Sequence, residues 1–321
     1  MPANLPPEYY EAEKRFKAAL CTREKVAALE ALIATVPKHK GTDKLRADLR
    51  RRLSRLRDES ARQKKKGGRG DLYAVPSVGA AQFALVGFAN AGKSALVSAL
   101  TNAEPTVADY PMSTVMPLSG MMPYEDIQFQ LVDLPPAGNE ATDGWVSGVV
   151  RAADGVLLVI DLSEEPGVQA ELLLELLSSW NIPLGSGEPE GKKSLVAAGK
   201  MDVDGAARGL EELRKTLGES AGPVVGVSAL KRVGLEELRR KVFEVSGLLR
   251  VYTKQPGKGP DMNVPFTLPR GSTVMDLADL VHKDFLRNLR YACIWGSARF
   301  PGQRVQKSFQ LSDGDVVELH T

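Results

Sequence analysis

Cysteine and histidine are nearly missing from this chain, with two of the first and three of the second in 321 residues. Cys21 and Cys293 are lone thiols without metal-type spacing, which argues against a disulfide scaffold or a Cys/His zinc site. A reducing cytoplasm is the expected home. His39, His282 and His320 are scattered and form no ligand set, so surface or packing roles are expected for them. No apolar run approaches 18 residues, and the N-terminal MPANLPPEYYEAEKRF is too acidic and polar for a signal peptide. No membrane partner is therefore expected. Repeats and low-complexity tracts are also lacking. An excess of one charge is missing only in the sum. The 42 Lys/Arg and 40 Asp/Glu nearly cancel, yet residues 1–70 hold 19 Lys/Arg against 9 Asp/Glu while the remainder holds 23 against 31. The basic end is a candidate polyanion contact.

What the chain does have is a run of 23 residues, AAQFALVGFANAGKSALVSALTN, beginning at Ala80. Phe83 to Val86 has the length of a buried parallel strand, and Leu96, Val97 and Leu100 follow at helical spacing. Between them, Gly87, Phe88, Ala89, Asn90, Ala91, Gly92, Lys93 and Ser94 fit G-x-x-x-x-G-K-[ST], the phosphate-binding loop, with Ala95 next in line. Its glycines open backbone conformations in which successive N–H groups converge on phosphate oxygens at a helix N-terminus. Lys93 would reach the β- and γ-phosphates as a point charge, and the Ser94 hydroxyl would join a magnesium shell made mostly of water and phosphate oxygens.

Before this run, residues 7–36 show apolar spacing of three and four that stops at Pro37. A second helical pattern carries Leu45, Leu49, Leu53 and Leu56 on one side and Arg50, Arg51, Arg52, Arg55 and Arg57 largely on the others. A basic helical hairpin with its linker over 1–70 is expected, its charges serving either as a solvated face or as a nucleic-acid contact. After the run, strands are expected at 127–132 (half-buried, ending at Asp133), 155–161, 194–198 and 224–228. Helices are expected at 145–152, 168–180, 206–217 and 235–245. This alternation means a mostly parallel, doubly wound α/β sheet with ligand loops at the carboxyl ends of its strands, over residues 80–248. From 249 to 321 the rhythm changes to short strands around one amphipathic helix at 273–286, a small mixed sheet of the β-grasp kind. Tyr291, Trp295 and Phe300 could stack on bases but are expected rather in its core, and Met112, Met116, Met121 and Met122 as gap fillers near the nucleotide loops.

The order of loop ends matches a GTP-binding domain. Thr114 lies about twenty residues beyond the phosphate loop, where a hydroxyl could join Ser94 on magnesium while the γ-phosphate is present. Asp133 closes its strand as D-L-P-P, the position of a carboxylate that holds the metal through water. Gly199-Lys200-Met201-Asp202 stands where N-K-x-D belongs, and Ser228-Ala229-Leu230 where S-A-K belongs. Asp202 can accept from both N1 and the 2-amino group of guanine, a pairing adenine cannot offer, and Lys200 would lay its stem across the base.

At GFANAGKS, YPMSTVMP and DLPP the chain resembles the Obg-type GTPases. A tail from about Leu249 similar to a TGS domain, with IWGS and LSDGDVVELH, points to their developmentally regulated GTP-binding branch. The segment PKHKGTDKLRADLRRRLSRLR is similar to the helical segment that precedes the G domain there. The resemblance implies a cytoplasmic GTPase that uses GTP/GDP and magnesium and works with the ribosome or structured RNA. It also implies an inserted subdomain in larger members for which this G domain has no room. Three departures stand out. Pro136 replaces the glycine of D-x-P-G and has no N–H to give the γ-phosphate. Gly199 replaces the asparagine of N-K-x-D, a loss of one or two hydrogen bonds that costs roughly 1–3 kcal/mol. Ala137 stands where a glutamine would orient the attacking water. Related enzymes without that glutamine can use potassium held by the loop asparagine, which places Asn90 either in that role or in stabilising its own turn. Two functions follow: a slow GTPase switch, or a degenerate fold that serves as a nucleotide-insensitive RNA or ribosome adaptor.

Overall fold

In a computed structural model, the structure describes residues 73–101, 116–185, 191–218, 220–282 and 288–321, together with Thr35 and Phe285. The expected basic hairpin of residues 1–70 and Thr114 lie outside the described residues, as do Cys21, His39 and Met112.

Strand β1 (Gln82–Val86) leads through the phosphate loop into helix α1 (Lys93–Leu100). Strands β2 (Leu118–Tyr124) and β3 (Ile127–Asp133) form an antiparallel hairpin. Helix α2 (Glu140–Ala152), β4 (Gly155–Asp161), α3 (Pro166–Ser179), β5 (Lys193–Gly199), α4 (Ala206–Leu217), β6 (Val224–Gly226) and α5 (Leu235–Ser246) then alternate. The sheet order is β2-β3-β1-β4-β5-β6, parallel except for the β2 edge. All seven residues of β4 are buried because the sheet is covered on both faces. Val156, Leu158 and Ile160 pack with α2, α3 and α4, while Leu157 and Val159 pack with α1 and α5, the two-residue alternation of a central strand. Edge strand β2 was not evident from its sequence, LSGMMPY, whose glycine, methionines and proline carry little strand propensity. Its presence explains why β3 is buried at six of seven positions rather than half-buried. Met122, fully buried against the α1 and α5 face, fills the gap expected of it.

Strands β7 (Leu248–Lys254), β8 (Pro260–Pro269), β9 (Tyr291–Trp295), β10 (Gln303–Val305) and β11 (Asp315–His320) form the second sheet, ordered β10-β9-β11-β7-β8. Helix α6 (Val274–Val281) covers one face, with Val274, Leu277 and Ala278 against Val251, Ile294 and Val317. A capping box between Thr273 and Asp276 starts it, and it ends before the expected 286. The expectation of a core position for Tyr291, Trp295 and Phe300 is corrected. Alternation along β9 buries Ala292 and Ile294 and leaves Tyr291, Cys293 and Trp295 half-buried on the other face, and Phe300 is 61% exposed. There Arg304 lies 3.6 Å from the Tyr291 ring centre, His320 stacks on that ring, and Lys254 sits over Trp295.

The two sheets meet at the β2–β3 turn. Arg250 of β7 pairs with Glu125, with Asp126 at 3.0 Å and with Asp313 at 2.7 Å, and lies over the Phe243 ring of α5. The Tyr252 hydroxyl donates to Asp126. The three carboxylates hold the Arg250 guanidinium in its charged form, with the Asp313 hydrogen bond the largest cause. Burial, reinforced by Asp126, pushes the Tyr252 phenol up to about 12. Replacing Arg250 by methionine keeps the packing on Phe243 but strands Asp126 and Asp313. A loss of about 1–3 kcal/mol is expected from a half-buried charge cluster with two exposed members, Glu125 and Asp313. Denaturant unfolding would measure it, and a change below about 0.5 kcal/mol would show that solvent screens the cluster.

Candidate functional site

Four of the sequence-marked loops converge at the carboxyl ends of β1, β3, β5 and β6, beside the point where the chain leaves β1 for α1. Gly87 makes the close approach that this needs: a Cβ there would stand 2.4 Å from the Val159 carbonyl oxygen of β4. Gly92 holds φ 92°, the left-handed conformation that turns the loop into α1, and Asn90 takes φ 61°. No side chain caps the helix, and its first hydrogen bond runs from the Leu96 N–H to the Gly92 carbonyl. The earlier amides of α1 therefore face the loop. Phe88 is half-buried, Ala91 buried, and Ala89, Asn90, Ser94 and Ala95 exposed.

Lys93 is 7% exposed, and its ammonium donates to the Gly87 and Phe88 carbonyls at 2.9 and 3.0 Å. Burial pulls its pKa down, and Asp133 pushes part of the way back. The charge is thus held inside the loop's own ring of oxygens before any phosphate arrives. Ser94 Oγ donates to Asp133 Oδ2 at 2.5 Å. The other oxygen, Asp133 Oδ1, is buried without a hydrogen-bond partner. Burial pushes the Asp133 carboxyl up, outweighing the Ser94 bond and the nearby Lys93. A serine hydroxyl and a carboxylate with one orphaned oxygen, flanking a cleft of about 430 Å³ that Asn90 and Pro136 also line, fit a hard divalent cation such as Mg²⁺. Magnesium there would neutralise charge on the β- and γ-phosphates.

On the other side of the loop a second cleft of about 250 Å³ lies between Gly92, Ala95, Gly199, Lys200, Asp202 and Leu230. Asp202 accepts from Ser228 Oγ at 2.5 Å, and this bond, the largest cause, holds its carboxyl below the usual range. Ser228 is fully buried, and its Oγ also accepts from the Lys231 N–H at 3.0 Å. Ala229 is half-buried and Leu230 78% exposed at the cleft rim. The carboxylate is therefore aimed by a buried hydroxyl into a slot wide enough for a planar base.

One residue that motif matching passed over belongs to this site, as does one noted only for the glutamine it replaces. The first is Asp161, the last residue of β4 and 4% exposed, whose Oδ2 lies 2.5 Å from Lys200 Nζ. A carboxylate at the carboxyl end of a strand of the sheet, the position that Asp133 holds on β3, was the available signal. The second is Ala137. Its N–H donates to the Gly87 carbonyl at 3.1 Å, so the segment after Asp133 is tied to the phosphate loop one residue past Pro136. Pro136 itself is exposed on the cleft rim. At Gly199 an added Cβ would meet the Ala91 carbonyl at 3.4 Å and the Ile160 carbonyl at 3.5 Å, ordinary contacts, so the backbone leaves room for a Cβ. Among the described residues no helix is long and apolar enough to cross a membrane.

A model of the 50S ribosome-binding GTPases matches residues 82–186, and a TGS domain model matches residues 249–321. A GTP-binding protein of Methanocaldococcus jannaschii is 30% identical, the match covering 92% of each chain. That alignment runs over 361 positions, more than this chain possesses, so the relative carries segments absent here. The developmentally-regulated GTP-binding protein 2 homolog of Dictyostelium discoideum is 27% identical over 92% of this chain and 98% of its own. Among solved structures, a GTP binding protein from Pyrococcus horikoshii OT3 superposes with a TM-score of 0.53 at 18% identity, over 75% of this chain and 99% of that one, a likeness of fold.

The raised pKa of Asp133 sets a sign for stability. The folded state binds this proton more tightly than the unfolded state, so the group's contribution is complete below the ordinary carboxylate range and is lost as pH rises through the raised value. In metal-free, nucleotide-free protein the Asp133 contribution to the unfolding midpoint should decline as pH rises above the ordinary carboxylate range. Asp133→Asn should flatten that slope and abolish the further stabilisation given by Mg²⁺ with GDP. Thermal melts across pH would check this, and an unchanged slope in the variant would remove Asp133 as the cause.

Proposed function

Because the chain belongs to the Obg-type GTPases, in the developmentally regulated GTP-binding branch with a C-terminal TGS domain, we propose that it is a slow GTPase switch acting on the ribosome or on structured RNA. The observation that carries the switch reading is the Lys93–Ser94–Asp133 constellation. It joins an ammonium anchored in the loop, a hydroxyl and an orphaned buried carboxylate oxygen around one cleft.

In this reading Lys93 and the loop amides bind and orient the β- and γ-phosphates. Ser94 and Asp133, with Thr114, would hold the magnesium, and Asp202 reads the guanine edge. Water attacks the γ-phosphorus in line as the bond to the bridging oxygen breaks, giving GDP and phosphate. Asn90 would supply a potassium ligand where a glutamine is lacking. Hydrolysis is slow because residue 136 has no N–H and the next one, on Ala137, is already given to Gly87. The ribosome enters through the description of the G-domain family and through the basic charge of residues 1–70. Cytoplasmic location follows from the same work. The committed Ala137 N–H also favours a second reading, an adaptor that holds nucleotide without cleaving it and binds RNA through the N-terminal region and the TGS domain.

Competition of fluorescent GTP against GTP, GDP and ATP with Mg²⁺, in sodium and in potassium, followed by single-turnover hydrolysis, separates the two. Guanine-selective binding with potassium-stimulated cleavage is expected. Failure to bind, or binding without cleavage even in the presence of ribosomes, would support the adaptor, and a preference for ATP would sink the GTPase switch. Deleting residues 1–70 should weaken ribosome binding and flatten its salt dependence, whereas identical binding at every salt concentration would remove the N-terminal region from the interface.

A further inference from the structure

The Gly199–Asp202 loop presents a physical problem. Position 199 has no side chain, so it sends no side-chain hydrogen bond to the phosphate loop, although the Ala91 carbonyl lies within 3.4 Å of where a Cβ would stand. The residue after it, Lys200, holds φ 61°, a left-handed conformation that costs a non-glycine residue free energy and must be held by its surroundings. Its main chain supplies part of the hold, the Lys200 carbonyl accepting from the Val203 N–H at 3.1 Å.

The neighbouring main chain is held by the Met201 N–H, donating to the Val227 carbonyl at 3.0 Å, and by the Leu162 N–H, donating to the Gly199 carbonyl at 3.2 Å. The Lys200 side chain is held by Asp161. Its Oδ2 takes the Lys200 ammonium at 2.5 Å, and its Oδ1 takes the Ser163 N–H at 2.9 Å and the Ser163 hydroxyl at 2.6 Å. The Gln169 side chain of α3 grips the Asp161 main chain at both ends, accepting from its N–H at 3.1 Å and donating to its carbonyl at 3.0 Å. Both carboxylate oxygens are used and the backbone is clamped, so the carboxylate is a fixed point. It sits in register with Gly199 across the β4–β5 pair, one residue from the lysine it holds. A charge-assisted bond to a fixed, buried acceptor localises a long side chain that otherwise samples many rotamers. With Lys200 Nζ held there, its stem forms a wall of the base cleft.

We propose that Asp161 is a positioning residue for guanine-nucleotide binding, anchoring Lys200 along the base cleft in place of the anchor that Gly199 lacks. This rests on the GTP-binding reading of the site and adds to it a residue that touches no nucleotide. Asp161 acts only through Lys200, so its effect is confined to ligands that possess a base.

The test is a competition series on the full-length chain with GTP, GDP and inorganic tripolyphosphate, for wild type, Asp161→Asn, Lys200→Met and the double variant. Asp161→Asn should weaken GTP and GDP about tenfold and leave tripolyphosphate unchanged. The double variant should bind no worse than Lys200→Met alone. Adding Gly199→Asn to Asp161→Asn should recover most of the loss by bringing an amide to the Ala91 carbonyl. Unchanged GDP affinity in Asp161→Asn, losses that multiply in the double variant, or an equal loss for tripolyphosphate would each overturn the proposal. If Asp161→Asn does not fold, Asp161→Glu answers in its place. It displaces the charge by one methylene, and an equal loss with and without Lys200 would refute the anchoring. Wild-type protein that fails to bind GDP would instead overturn the GTP-binding reading and this inference with it.

Discussion

The approach of Gly87 to β4 is the constraint on which the nucleotide site rests. With no Cβ, the residue lies against the Val159 carbonyl, and its own carbonyl is free to accept from both the Lys93 ammonium and the Ala137 N–H. One oxygen thereby ties the phosphate loop to the lysine that serves it and to the segment that follows Asp133. Any side chain at 87 would push β1 and β4 apart and move all three. Such geometry is available only where parallel strands lie side by side with their carboxyl ends together, which the doubly wound order provides.

Around that point the site holds charge that the fold alone does not satisfy. Lys93 and Asp133 are both buried, and burial disfavours the charged form of each. The lysine is compensated by two carbonyls, whereas the aspartate keeps one oxygen without a partner. At the carboxyl end of β4 the balance differs. Burial also pushes the Asp161 carboxyl up, but the bonds from Lys200 and Ser163 outweigh it and hold the group below the ordinary range. One carboxylate is left waiting for a cation, and the other already has one.

The β2–β3 hairpin joins this chemistry to the C-terminal sheet. At one end Leu118 pairs with Asp133, and at the other Tyr124 pairs with Ile127 beside the Glu125–Asp126 turn that holds Arg250. Seven paired residues span about 20 Å. The metal-facing carboxylate and the docking point of the TGS domain thus lie on one two-stranded ribbon, with no loop between them other than the turn itself.

The local pattern was legible in the residues themselves. Apolar runs marked β1, β4 and β5, and 3.6-residue spacing gave α4 its observed bounds, Ala206–Leu217. Four fixed loop positions marked a phosphate site because each residue type there has a local conformational or charge role. Burial was less legible. LSGMMPY became a strand only because β3 offered it an edge, and Tyr291 and Trp295 left the core because alternation along β9 gave the inner face to Ala292 and Ile294. Pairings distant in sequence were not legible at all. Asp161 meets Lys200 across 39 residues and the Ala137 amide meets Gly87 across 50, and nothing local to either residue encodes its partner. The sequence by itself determined the central strands β1, β4 and β5, the helix α4 and the phosphate loop, since those depend on neighbours a few residues away. Tertiary structure alone decided which carboxylates are buried, which of them are satisfied and where the C-terminal sheet docks, because desolvation and charge pairing depend on which distant groups the parallel sheet brings within hydrogen-bond reach.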